Sequence, residues 1–125
     1  MKFLLDTDLV IWWLTDDDCL PRLAREIVED ENNEIMVSVV SLFEIADRVG
    51  NKILCANVND METALTAEGI TILTLTPQHC AHMATLEPTA DVYDRSLVAQ
   101  SQVEQILFLT TEPALTQFGR SVVNV

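Results

Sequence analysis

The chain alternates short apolar runs with segments of helical spacing from end to end, and few folds accommodate that pattern. Lys2 to Leu5 reads as a short buried strand, and Thr7 to Leu14 as a helix that Asp6 is placed to cap. Pro21 stands in the first turn of a second helix whose buried stripe is Leu23, Ile27 and Val28. Asn32-Asn33 is a turn, and Ile35 to Val39 is a β-branched strand. Ser41 is placed to cap a helix holding Leu42, Ile45, Ala46 and Val49, which stops at Gly50-Asn51. Val58 to Glu68 is helical through Met61, Ala64 and Leu65, with Gly69 as its stop, and Ile70 to Leu75 is the next strand. Thr76-Pro77 opens a further helix, Asp91 to Glu104 is the clearest one, and Ile106 to Leu109 is a strand. A short helix from Pro113 to Phe118 and a last strand at Val122-Val123 complete the order. Such alternation implies a parallel sheet covered by helices on both faces, a three-layer α/β/α sandwich.

Four carboxylates take positions in this pattern that matter chemically. Asp6 closes the first strand, Glu44 follows the second within two helical turns, Asp94 opens the long helix, and Glu112 lies just past the fourth strand. In an open α/β sheet, ligands bind in the crevice outside the carboxyl ends of the strands. Each acid also has an ordinary reading. Asp6 can be a helix cap, Glu44 a helix-surface charge, and Glu112, before Pro113, a loop charge. Asp91 can cap the long helix, which leaves Asp94, three residues on, free for chemistry. The ordinary readings do not explain why all four gather at one sheet edge. Carboxylates brought together must be protonated or neutralised by a cation, and hard oxygen donors suit Mg²⁺ or Mn²⁺. Ions held in this way serve phosphodiester hydrolysis without a protein nucleophile. The chain carries no GxSxG and no phosphate-binding P-loop.

At 125 residues and 49% hydrophobic, the chain is expected to form one domain spanning residues 1–125 with a real core. No apolar stretch reaches the about 20 residues of a membrane span, and Asp6 to Asp8 interrupt any signal-like run at the start. A cytoplasmic location is expected. The cysteines Cys19, Cys55 and Cys80 form no CxxC pair, which fits reduced thiols. His79 and His82 flank Cys80, but the spacing is poor for zinc, and both are expected on a helix surface. The net charge of −13, from 20 acids against 7 bases, runs against non-specific nucleic-acid binding. Asp16 to Asp18 and Glu29 to Glu31 account for part of it as solvated charge.

Taken together, Leu5-Asp6-Thr7, Val37-Ser38 leading into Ser41-Leu42-Phe43-Glu44-Ile45-Ala46, Asp91 to Gln100, and Leu109-Thr110-Thr111-Glu112-Pro113-Ala114-Leu115 resemble the PIN domain. The resemblance is to PIN proteins of the VapC type, the toxin half of bacterial toxin–antitoxin pairs, and it runs through nearly the whole chain. It implies a PIN-like α/β/α fold and a Mg²⁺- or Mn²⁺-dependent endoribonuclease. By position, it implies metal-binding and catalytic roles for Asp6, Glu44, Asp94 and Glu112, with Thr110 supporting Asp6. It also implies an antitoxin partner and a homodimer. Phe43 stands where the family usually has Trp, Glu112 where many members have Asp, and Asp8 where close relatives often have His or Ser.

Arg48 and Lys52, one turn apart beyond Glu44, and Arg95 beside Asp94 are the candidates for contact with RNA phosphates. In Ile11-Trp12-Trp13-Leu14, at least one Trp is expected at a surface that meets an antitoxin or a second copy. Two other readings compete. One is a PIN-like interaction module without catalysis. The other is a different phosphoesterase or a phosphorylatable receiver domain, which would want an acidic pair near the first strand, imitated by Asp6 and Asp8, an Asp ending the third strand and a late Lys; no Asp ends Ile70 to Leu75, and the last lysine is Lys52.

Overall fold

A computed structural model describes residues 1–125. The elements are β1 (Lys2–Leu5), α1 (Thr7–Leu14), α2 (Arg22–Glu29), β2 (Glu34–Ser38), α3 (Val39–Gly50), α4 (Val58–Ala67) and β3 (Thr71–Leu73). They continue with α5 (Pro77–Met83), α6 (Val92–Glu104), β4 (Leu107–Thr110), a 3₁₀ helix (Pro113–Phe118) and β5 (Val122–Asn124). The five strands form one sheet in the order β3-β2-β1-β4-β5, and every pairing is parallel. The chain leaves β1 toward β2 and later returns to the other side of β1 as β4. That reversal opens a crevice at the carboxyl ends of β1 and β4.

Strand side chains alternate between faces, so each strand feeds two cores. Phe3 and Leu5 of β1, Ile35 and Val37 of β2, and Leu109 of β4 pack with Leu9, Val10, Ala24, Ile45 and Leu65 from the helices of one face. Leu4 and Phe108, one residue out of phase, pack with Leu97 and Val98 of α6 on the other. Helices thus cover both sides of the sheet, as the alternation of elements implies. No helix is long and apolar enough to cross a membrane.

Several local expectations are corrected. In α2 it is Ala24 that is fully buried, while Leu23 is half exposed and Pro21 stands at the cap position. The inward face of α2 runs through Ala24, with Ile27 and Val28 half-buried beside it against the first core. Strand β2 ends one residue early, at Ser38, and Ser38 caps α3 by accepting the Val40 N–H at 2.9 Å. Ser41, expected as that cap, is buried inside the helix. Ala46 and Ala64 are exposed, and the third strand shrinks to Thr71–Leu73.

His79 is the largest departure, for it is buried and not on the surface. Its Nδ1 accepts the Thr76 N–H at 3.1 Å, which puts the ring N–H on Nε2. That proton goes to Glu104 at 2.9 Å. His82, half-buried, meets Gln102 at 2.7 Å. Both histidines therefore join α5 to α6. Trp12 and Trp13 are half-buried at the edge of the first core, and Arg25 lies 5.8 Å from the Trp13 ring centre.

Candidate active site

Asp6 sits where β1 turns into α1. Its own N–H still bonds the Leu109 carbonyl at 2.9 Å, continuing the β1–β4 pairing by one residue. One carboxylate oxygen accepts the Thr7 N–H at 2.8 Å and the other accepts the Thr110 hydroxyl at 2.6 Å. Thr110 Oγ1 in turn accepts the Glu112 N–H at 3.0 Å. That fixes the direction of its own proton toward Asp6 and ties the Glu112 loop to β4.

Glu44 lies in the second turn of α3 and is buried. Its Oε1 is 2.6 Å from Thr7 Oγ1, which is also 3.0 Å from Ser41 Oγ. A hydroxyl has one proton, and the carboxylate takes it. Oε2 accepts from Arg48 Nη2 at 3.0 Å, while Arg48 Nη1 donates to Asp8 at 2.8 Å. The charges of Glu44 and Asp8 and their hydrogen bonds outweigh desolvation and raise the Arg48 pKa further.

Asp94 arrives from α6. Asp91 caps that helix by accepting the Asp94 N–H at 2.8 Å, leaving the Asp94 carboxylate pointed at the cleft with no hydrogen-bond partner. The start of α6 is held against α3 by the Phe43–Tyr93 edge contact, centroids 6.3 Å apart, and by Tyr93 OH donating to Asp47 at 3.2 Å.

These elements enclose a cleft of about 210 Å³ lined by Asp6, Asp8, Glu44, Arg48, Asp91, Asp94, Thr111 and Glu112, with no apolar residue. Burial raises the Asp6 pKa to about 6, helped by the charges of Asp8 and Glu44 and opposed by the Thr110 and Thr7 hydrogen bonds. Asp94 is pushed up to about 7 by burial and then by Asp6, Asp91, Glu44 and Glu112. Both shifts arise first from burial and then from the crowding of like charges. The donor set, all oxygen and mostly anionic, fits a hard divalent cation. As the side chains stand, no three His, Cys, Asp or Glu groups are placed to hold an ion together.

A larger cleft of about 570 Å³ opens at the other end of the sheet, between Trp13, Glu34 and Gly69. It has more room, but none of the carboxylates with raised pKa values lines it.

The structure thus brings Asp6, Glu44, Asp94 and Glu112 to one cleft, with Asp91 at its wall and Thr110 beneath Asp6. Of the three candidate phosphate contacts, only Arg48 lines it. Lys52 is exposed beyond the end of α3, and Arg95 donates to the Ala90 carbonyl at 3.1 Å. Thr7 carries no signal of its own in the sequence, and Asp8 stands out there only as half of an acidic pair with Asp6 and as a departure from the family pattern. The Glu44–Arg48 spacing of four residues was a signal for that ion pair; nothing local marked Asp8 as its third member.

A parallel α/β/α sandwich with an acid-lined cleft where its strand order reverses defines a class of α/β proteins that gather carboxylates at the sheet's carboxyl edge. The chain belongs to the PIN domain family, whose model matches residues 3–120. Its fold is similar to VapBC2 from Rickettsia felis, solved bound to a DNA fragment from the promoter, with TM-score 0.71 and 12% identity over 100% of this chain and 98% of that one. It is also similar to a toxin–antitoxin complex from Klebsiella pneumoniae, with TM-score 0.68 and 17% identity over 97% and 95% of the two chains. For VapBC-1 from nontypeable Haemophilus influenzae, the TM-score is 0.66 and the identity 18%, over 94% and 92%. No curated protein matches the sequence.

Proposed function

We propose that this chain is a divalent-metal-dependent endoribonuclease, the toxin of a VapBC-type pair, working in the cytoplasm. The observation that carries the reading is the convergence of Asp6, Glu44, Asp94 and Glu112 on one cleft without apolar lining, with Asp6 and Asp94 held above the usual carboxylate range. Asp6, Asp94 and Glu44 would hold Mg²⁺ or Mn²⁺, with Glu112 at the rim. The ion supplies charge against the phosphodiester and lowers the pKa of water. Thr110 aims Asp6, Asp91 fixes the turn that presents Asp94, and Arg48, with Lys52 and Arg95 farther out, meets RNA phosphates. The test is cleavage of RNA by purified protein with Mn²⁺ and with EDTA. Cleavage that appears with Mn²⁺ and stops with EDTA is expected; no cleavage with any divalent ion sinks the enzyme reading.

A second reading, a PIN-like interaction module without catalysis, is favoured by one observation. The cleft carries a single basic residue, and that residue is tied to two acids. It predicts no cleavage together with intact antitoxin binding.

The partners under the first reading are RNA, an antitoxin and a second copy of the chain. Trp12 and Trp13, half-buried on α1, would anchor apolar side chains of the antitoxin while one of its basic residues reaches the carboxylates. Changing each Trp singly to Ala is expected to cost about 2 kcal/mol of stability, less than a fully buried ring. At least one change should weaken antitoxin binding about tenfold. Stability losses above about 4 kcal/mol with affinity untouched would place the partner elsewhere. Light scattering over a concentration series tests the dimer.

A further inference from the structure

We propose that Arg48 is the site's own cation in the metal-free protein, clamping Glu44 out of reach of a divalent ion until the ion displaces it. The inference rests on the metal-dependent reading above and concerns how that site is regulated.

The geometry is specific. Arg48 lies one turn beyond Glu44 on α3, and its two terminal nitrogens reach two different acids, Glu44 at 3.0 Å and Asp8 at 2.8 Å. The planar guanidinium can bridge two carboxylates in a way a lysine cannot. The other Glu44 oxygen is occupied by the Thr7 hydroxyl at 2.6 Å, so both oxygens of this buried acid are taken. Asp94, across the cleft, has no such partner, and no trio of acids is placed to hold an ion in this arrangement. The carboxylates are present, yet both oxygens of one of them are already engaged, one by a hydroxyl and one by an arginine.

Asp8 gives the clamp its reversibility. An arginine bound to Glu44 alone would lose its only partner when an ion arrived. Held also by Asp8 at the cleft wall, Arg48 keeps one charged contact after releasing Glu44. Its freed nitrogen then faces the cleft, where a phosphate of the substrate can replace the lost carboxylate. Loading the ion and readying the phosphate contact become one movement of a side chain that is about a quarter exposed, at 28%.

The experiment is a calorimetric titration with Mn²⁺ alone, without RNA, on the wild type, Arg48→Gln and Arg48→Lys, each checked by a cooperative melting transition to be folded at the titration temperature. Arg48→Gln is expected to bind Mn²⁺ about tenfold tighter, a difference of about 1.4 kcal/mol. Arg48→Lys keeps the charge but cannot bridge both acids, and it should recover at least half of that gain on a logarithmic scale. Lysine behaving as wild type while glutamine binds tighter would reduce the effect to general charge and overturn the clamp. Equal or weaker Mn²⁺ affinity in both variants would overturn it outright. If that equality came with Mn²⁺-dependent RNA cleavage by the wild type, the nuclease reading would stand without the clamp. If none of the three bound Mn²⁺, the metal reading would fall and the clamp with it.

Discussion

Asp94→Asn is expected to lower RNA cleavage about a thousandfold, the scale for removing a group that stabilises charge in the reaction, and to make the metal-free protein more stable at pH 8. The two effects have one cause. The Asp94 carboxylate faces the cleft without a hydrogen-bond partner, and its pKa is raised to about 7 by burial and by four neighbouring acids. In the unfolded chain it titrates near 3.8. Between those values the folded protein binds more protons than the unfolded one, so stability falls as pH rises from about 4 to about 7. Asn removes that dependence. The variant should match the wild type near pH 4 and exceed it at pH 8. Asp94 is half-exposed, so solvent screening reduces the gain to about 1 kcal/mol, well below the unscreened limit. Mn²⁺ should reverse the order. At one hundred times its Kd, an ion adds about 2.7 kcal/mol to a protein that binds it, and the variant loses a ligand. Urea melts at the two pH values, with and without Mn²⁺, check all of this. An Asn variant that cleaves at the wild-type rate, or is less stable than the wild type at pH 8 without metal, removes Asp94 from the role assigned to it.

Gln100→Ala is expected to cost about 3 kcal/mol of stability, mostly through groups it leaves unpaired. Gln100 is completely buried on α6. Its amide oxygen accepts the Ser38 hydroxyl at 2.5 Å, and its amide nitrogen donates to the Thr74 carbonyl at 3.2 Å. The same nitrogen lies 3.4 Å from His79 Nδ1. One side chain thus joins the end of β2, the segment after β3, and α5. Truncation leaves a cavity as well as the buried Ser38 hydroxyl without its acceptor. Gln100→Leu fills the volume and should recover only the cavity part. Because Ser38 also caps α3, loss of this link should loosen the helix that carries Glu44. Denaturant midpoints measure the cost; a loss below about 1 kcal/mol for Gln100→Ala would mean the network is incidental.

The order of strands and helices is legible in the sequence because each signal is local. A run such as Phe3-Leu4-Leu5 or Ile106 to Leu109 is too short and too apolar for anything but a buried strand, and Thr76-Pro77 marks a helix start by its own chemistry. Boundaries slip where two local signals compete. Val39 and Val40 have strand propensity, but the Ser38 hydroxyl caps the helix they open, and the cap prevails. In α2, local spacing allows more than one inward face, and the tertiary packing turns Ala24 inward and Leu23 outward.

By itself, the sequence determined the parallel sandwich and the placement of Asp6, Asp94 and Glu112 at element ends with Glu44 in the second turn of a helix, because the carboxyl edge of a parallel sheet follows from the order of its elements. The contents of that cleft were decided by the tertiary structure. Asp8, Arg48 and Glu44 meet only once α1 and α3 pack together, and Thr110 reaches Asp6 only once β4 lies beside β1. His79 is buried because α5 packs on α6 and Glu104 is there to accept its proton, a pairing across 25 residues that no local pattern encodes. Local spacing fixes which groups a chain can offer to a site; desolvation and the charges of distant neighbours fix which of them are free and which are already bound.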